Sequence, residues 1–330
     1  MRDDLLQPRS QGLYCPAGDF FIDPRWPVER AVVTHAHGDH ARIGNAGYHV
    51  AAAGSALMRQ RLGEEAIIET HDYGEPFTLG DVRVSMHPSG HMLGAAQIRM
   101  ERGGRVVVVS GDYKREADPT CLPFEPVPCD VFVTESTFGW PVYRWPPMDA
   151  VMDGLLAWWD DCVRRGVPAL LFCYALGKAQ RLLAELALRC PDRVAHLHGA
   201  LLQPAQHYRD AGVALLPTAP LDEKARGAAM AGELIMAPPS AANSPWMRRF
   251  ANASTGFASG WMQVRGNRRR RGFDRGFVVS DHADWPGLLR SVADSGASRI
   301  HVTHGDGDAL TRYLRDLGHD AQALDALGEA

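Results

Sequence analysis

The sequence predicts an α/β protein built in more than one part, and three observations carry that reading. The chain has 330 residues, more than one small core accommodates, since single cores stop growing near roughly 250–300 residues. Short β runs broken by Gly and Pro fill residues 1–140. Beyond them, strands alternate with amphipathic helices, the pattern of a parallel, doubly wound segment. Hydrophobic residues make up 45% and charged residues 22% of the chain, which excludes wholesale disorder.

The elements follow in order. Residues 19–22, 31–34, 82–86, 97–100 and 131–134 read as strands, and 105–110 carries four consecutive valines suited to a buried strand. A short helix is expected over 54–61. Pro141, Pro146 and Pro147 then punctuate a linker. A helix is expected over 149–165, a buried strand over 167–174 and an amphipathic helix over 178–189, with Leu182, Leu183 and Leu186 on one side. Residues 240–267 are rich in Ala, Ser and Gly and read as loops around short elements. Strand, helix, strand and helix return at 277–280, 285–295, 299–303 and 308–317. The expected organisation is therefore a first domain over 1–140, an insertion over 141–276 and a return to the first domain over 277–330.

Composition narrows the function classes. No apolar run approaches the ~20 residues of a bilayer span, and Met1-Arg2-Asp3-Asp4 lacks the apolar centre of a secretory signal. Six cysteines without C-x-x-C spacing fit reduced thiols in the cytoplasm, the expected location. Lys and Arg number 35 against 39 Asp and Glu, a net charge of −4. A nucleic-acid partner would therefore need local positive charge or metal ions.

The strongest local signal is Thr34-His35-Ala36-His37-Gly38-Asp39-His40. So many imidazoles beside a carboxylate are too costly to bury unpartnered. At a strand end, alternation turns His35 and His37 to one side. If Asp39 and His40 open a helix, they face a second position, so that one loop feeds two ions. Imidazole with carboxylate favours zinc, with manganese or iron possible. Further candidates stand beside glycines after strands: His91 in Ser89-Gly90-His91, Asp112 in Ser110-Gly111-Asp112 and His304 in Thr303-His304-Gly305. A carboxylate can bridge two cations and an imidazole cannot, so Asp112 is the expected bridge.

H-x-H-x-D-H, followed by a His, an Asp and a late His on short loops, resembles the metallo-β-lactamase fold. The resemblance implies an αββα sandwich with two zinc ions at one edge. His35, His37, His91 and Asp112 would hold one ion, and Asp39, His40, Asp112 and His304 the other. Asp23, in Phe21-Ile22-Asp23-Pro24, matches the early Asp that steadies ligands by hydrogen bonding. Thr134-Glu135-Ser136-Thr137-Phe138-Gly139 and Ser280-Asp281-His282-Ala283-Asp284 resemble two signature elements of the β-CASP nucleases. The segment between them matches the β-CASP insertion, an inserted α/β domain, and Ala175-Leu176-Gly177-Lys178-Ala179-Gln180 resembles its A-L-G-[RK]-A-Q turn. The run 12–19 with Ile22-Asp23-Pro24 is similar to a bacterial subgroup of DNA exonucleases associated with ATP-dependent DNA ligases.

These likenesses imply a metal-dependent nucleic-acid phosphodiesterase: a DNA exonuclease in repair, working with a ligase through a metal-activated hydroxide. An RNase J-like ribonuclease is the alternative, because His304 is kept in RNA-cleaving members and tends to be absent from eukaryotic DNA-cleaving ones. A non-catalytic β-CASP scaffold would have lost ligands, and a thioesterase would lack the insertion. The expected catalytic group comprises Asp39 and Asp112 with His282 as general acid or phosphate-orienting group, and Glu135 hydrogen-bonds His282 to favour its protonated form. For substrate binding, Ser280 lies in the second signature element. Lys178 starts a helix after Gly177, and Arg268, Arg269, Arg270 and Arg271 form the strong cationic block.

Overall fold

The structure is a computed structural model that describes residues 5–222, 226–264, 272–305 and 307–324. It is a mixed α/β protein with its strands in separate sheets. It divides into two compact units, Met1–Pro141 with His282–Ala330, and Val142–Asp281. The second unit thus includes 277–281, which the sequence reading assigns to the return.

In the first unit, one sheet runs in the order β1 (Gln7–Arg9), β2 (Gly12–Cys15), β3 (Phe20–Ile22), β4 (Arg30–Val32), β5 (Gly47–Ala51) and β6 (Ile68–His71). The other contains β7 (Phe77–Leu79), β8 (Val82–Pro88), β9 (Ala96–Arg102), β10 (Arg105–Val109), β11 (Val131–Glu135), β18 (Arg299–Thr303) and β19 (Asp320–Ala323), in the order β19-β18-β11-β10-β9-β8-β7. The two share a core. Phe20, Ile22, Val32 and Ala51 of the first sheet pack with Val84, Met86, Ile98, Val107 and Val133 of the second. On the second sheet's other face, Val108, Phe132, Ile300 and Val302 meet Leu288 and Val292 of α5 (Trp285–Ser295) and Leu310 and Leu314 of α6 (Gly307–Asp316). The valine run serves both sides, because successive side chains of a strand face opposite ways. Helix α1 (Ser55–Leu62) lies against β5 and β6.

Strand direction positions the site. β10, β11 and β18 are parallel neighbours, and β8 runs with them because β9 is antiparallel to both β8 and β10. The ends that lead to His91, Asp112 and His304, and the end of β11 at Glu135, therefore share one edge. Strands β3 and β4 are parallel, and lead to Asp23 and His35. A backbone bond from the Ala96 amide to the Thr34 carbonyl, 2.9 Å, joins the two sheets.

The second unit is a parallel sheet in the order β14-β13-β15-β12-β16-β17. Its strands are β12 (Ala169–Phe172), β13 (Ala195–Leu197), β14 (Thr218–Pro220), β15 (Leu234–Ala237), β16 (Ser254–Ala258) and β17 (Arg275–Phe277). One face packs on α2 (Met148–Arg165), α3 (Lys178–Ala187) and α4 (Gly199–Asp210). The other meets Met230, Phe250 and Met262 from short 3-10 turns rather than full helices. The Ser, Asn and Gly residues scattered through 240–262 are weak helix formers and Pro245 interrupts any helix there, which accounts for that asymmetry.

Candidate metal centre

Asp23, directly after β3, adopts a left-handed backbone (φ +44°), which Asp tolerates better than most residues. Its carboxylate accepts the Thr34 amide at 2.8 Å and the Thr34 hydroxyl at 2.6 Å, and lies 2.7 Å from His40 Nδ1. With Nδ1 taken, His40 presents Nε2 to the centre. The expectation that Asp39 and His40 open a helix is corrected here. The His40 and Ala41 amides both return to the His37 carbonyl, closing a single turn that does not propagate.

Four of the expected ligands converge. His35 Nε2 is 3.0 Å from His37 Nδ1, and His91 Nε2 is 3.1 Å from the same atom. Asp112 Oδ2 lies 3.5 Å from His35 Nε2 and 3.8 Å from His91 Nε2. Bonds of roughly 2.0–2.1 Å to a tetrahedral ion give ligand–ligand edges of about 3.3 Å, which these separations bracket. One proton cannot satisfy both contacts to His37 Nδ1, whereas a shared cation suits all four donors. His40 Nε2 and Asp112 Oδ1 are buried without a hydrogen-bond partner, a costly state for a polar atom that coordination removes. The donor set therefore fits a divalent metal ion.

Electrostatics point the same way. Burial, then the neighbouring imidazoles of His40, His91 and His37, holds His35 well below the usual histidine range, so its lone pair is available. Burial also works against a charge on His40, but Asp112 and Asp23 outweigh it and hold that imidazole well above its ordinary value. Asp112 is pushed up by burial, yet His40 and His282 hold it well below the carboxylate range. A field that favours a proton on His40 favours any cation at that position.

The other expected set is looser. His40 Nε2 lies 3.5 Å from Asp112 Oδ2 and 3.9 Å from the mostly exposed Asp39. The His304 ring stacks on His40 at 4.8 Å. Among the described residues these donors do not draw within 4.8 Å of one another, as the first four do. Asp39 and His304 instead line a cavity of about 60 Å³ with Asp23, Arg25 and Gly111.

Beside Asp112, His282 Nδ1 is 2.8 Å from Glu135 Oε2, and Glu135 Oε1 accepts the Tyr113 amide at 2.8 Å. His282 Nδ1 is also 3.9 Å from Asp112 Oδ2. Asp112, Glu135 and His282 thus form a donor group of their own. Sequence reasoning misses Tyr113 and Thr34. Thr34 is legible as the hydroxyl preceding the His run; Tyr113 acts through its amide and leaves no side-chain signal.

The substrate-binding expectations fare differently. Lys178 is buried, with Nζ 2.9 Å from Asp281 Oδ2, so its charge is spent inside the unit and not offered to a phosphate. The α3 start is closed by Gln180, which accepts the Gly177 amide and donates to the Ala175 carbonyl. Ser280 is buried, and its carbonyl accepts from Arg181 at 2.5 Å. Arg268, Arg269, Arg270 and Arg271 lie outside the described residues.

The facing sheets, with imidazoles and carboxylates gathered at strand ends, define a metal-binding α/β protein. No family model matches the chain. A protein of Opitutus terrae named probable DNA ligase is 32% identical over 322 residues, 96% of this chain and 30% of that protein. Endoribonuclease ysh1 of Aspergillus fumigatus is 36% identical over 123 residues, 36% of this chain and 14% of that one. The chain thus spans less than a third of these curated relatives. A crystal structure of a protein of unknown function from Enterococcus faecalis V583 shares the fold, with a TM-score of 0.60 at 11% identity, covering 91% of this chain and 80% of that one. These likenesses support the resemblance to the metallo-β-lactamase/β-CASP nucleases that the motifs carry.

Proposed function

We propose that the chain is a metal-dependent phosphodiesterase that shortens DNA from an end during repair. The convergence of His35, His37, His91 and Asp112 beside a carboxylate-held imidazole carries the reading. The first unit is the αββα sandwich, with α1 outside one sheet and α5 and α6 outside the other; Val142–Asp281 is the β-CASP insertion. His35, His37, His91 and Asp112 would hold one zinc ion. Asp39, His40, Asp112 and His304 would hold a second. Divalent ions at such a centre acidify water and neutralise charge on phosphate oxygens.

The chain's own residues supply the rest. Asp23 fixes the His40 ring through Nδ1. Glu135, itself held by the Tyr113 amide, fixes His282 through Nδ1, so His282 carries the transferable proton on Nε2, where it meets the departing oxygen. Likeness over 96% of the chain to a protein named probable DNA ligase supports DNA as substrate and a DNA ligase as partner; the free cysteines fit the cytoplasm as location. End-labelled single- and double-stranded DNA and matched RNA, each with Zn²⁺ or Mn²⁺, provide the test. Stepwise loss of nucleotides from DNA is expected. Cleavage of RNA alone would favour an RNase J-like enzyme, and no cleavage of either would overturn the reading.

A further inference from the structure

His49 and His71 lie outside every motif used above. They occupy the parallel neighbours β5 and β6, where His49 is level with Glu69. Positions two apart on a strand share a face, so His49, Glu69 and His71 project together. His49 Nδ1 stands 3.0 Å from His71 Nε2. Glu69 Oε2 is 3.7 Å from His49 Nδ1, and Glu69 Oε1 is 3.7 Å from His71 Nε2. All three donor atoms lie within 4.8 Å of one another. Phe77 stacks on His71 with ring centroids 3.5 Å apart and on His49 at 5.6 Å, closing one side with an apolar face. The other side is open, because β6 ends its sheet and the Glu69 side chain is 65% exposed.

A neutral N–H···N hydrogen bond explains the 3.0 Å separation, but gains little from a carboxylate equidistant from both nitrogens. A cation gains from all three. Burial holds both imidazoles below the usual histidine range, so each keeps a lone pair at neutral pH. Arg30 opposes positive charge near His49, and Glu69 and Glu75 favour it near His71.

We propose that His49, Glu69 and His71 form a zinc site of their own on the edge of the first sheet. Two imidazoles and a carboxylate are a donor set that zinc takes, with water completing the coordination on the solvent side. Each imidazole binds in its neutral form, with its proton on the far ring nitrogen, so no net proton is released. The ion would tie the edge strand β6 to β5.

Wild-type protein, Glu69→Gln and His71→Gln are saturated with Zn²⁺ and desalted, and zinc per chain is measured by elemental analysis and titration. Hydrolysis of bis-p-nitrophenyl phosphate is followed in parallel. Both variants should hold one zinc fewer, or bind it at least tenfold more weakly, with unchanged hydrolysis. Equal content and affinity in all three proteins overturns the site. Zinc loss accompanied by loss of hydrolysis overturns it too, since these residues would then serve the strand-end centre. Glu69→Gln alters an exposed side chain and decides the matter alone if His71→Gln does not fold. The zinc difference stands even if wild-type protein hydrolyses nothing, so failure of the proposed function reads separately.

Discussion

His282 and Asp23 are two side chains held through Nδ1 partnerships that predict opposite losses. His282→Ala removes the proposed proton donor but none of the converged donors around His37, so it should keep its metal and slow hydrolysis of bis-p-nitrophenyl phosphate by about 10²–10⁴-fold. Metal content measured on the same sample checks this; an emptied site would make His282 a ligand, through the Asp112–Glu135–His282 group. Asp23→Ala should do the reverse. It frees the His40 ring from its 2.7 Å partner and should weaken binding of one metal ion by about 10–100-fold, the usual effect of removing a group that orients a ligand. A zinc titration of folded Asp23→Ala protein with wild-type affinity would refute that role.

At the scale of elements, close approach of loops builds the centre. Gly111 sits at φ +55°, and a Cβ there would lie 2.8 Å from Thr34 Cβ. Gly111→Ala should therefore both strain the turn and push apart the loops carrying His35 and Asp112. A loss of about 1–3 kcal/mol is expected, read from the denaturant midpoint of the metal-free protein. In the second unit, Lys178→Met removes the ammonium from the buried Asp281, leaving Arg181 at 3.9 Å. Breaking a buried pair costs about 3–5 kcal/mol, and Arg181 places this case toward the lower end. Replacing Asp281 by Leu in the same chain should recover most of the loss, again read by denaturation. The motif residues were legible because their types and spacing have few other uses. The Lys178 pairing was not, because its partner lies 103 positions away. Strands β13 and β14 escaped notice for another reason: three residues each, they are too short to show a period. The valine strand and both closing helices, α5 and α6, were read within a residue or two, since long periodic segments carry their own signal.

For the molecule as a whole, net charge of −4 leaves polynucleotide affinity to local features, and the proposed one is the block Arg268–Arg271. Replacing all four arginines by Ser should weaken DNA binding. It should also flatten the salt dependence of log K by about 0.7 for each single-strand phosphate that the arginines no longer neutralise. Hydrolysis of bis-p-nitrophenyl phosphate should be unchanged. Equal losses on both substrates would instead implicate the metal centre.

The first unit is also discontinuous in the chain, Met1–Pro141 and His282–Ala330 flanking Val142–Asp281. During synthesis, the segment bearing His35, His37, Asp39, His40, His91 and Asp112 leaves the ribosome first. At roughly 5–20 residues per second, the whole intervening unit must be translated before His282 and His304 emerge. For that interval, on the order of ten seconds or more, a nascent chain holds six of the expected donors without His282 and His304. The centre is therefore completed only when the last segment of the chain folds back onto the first.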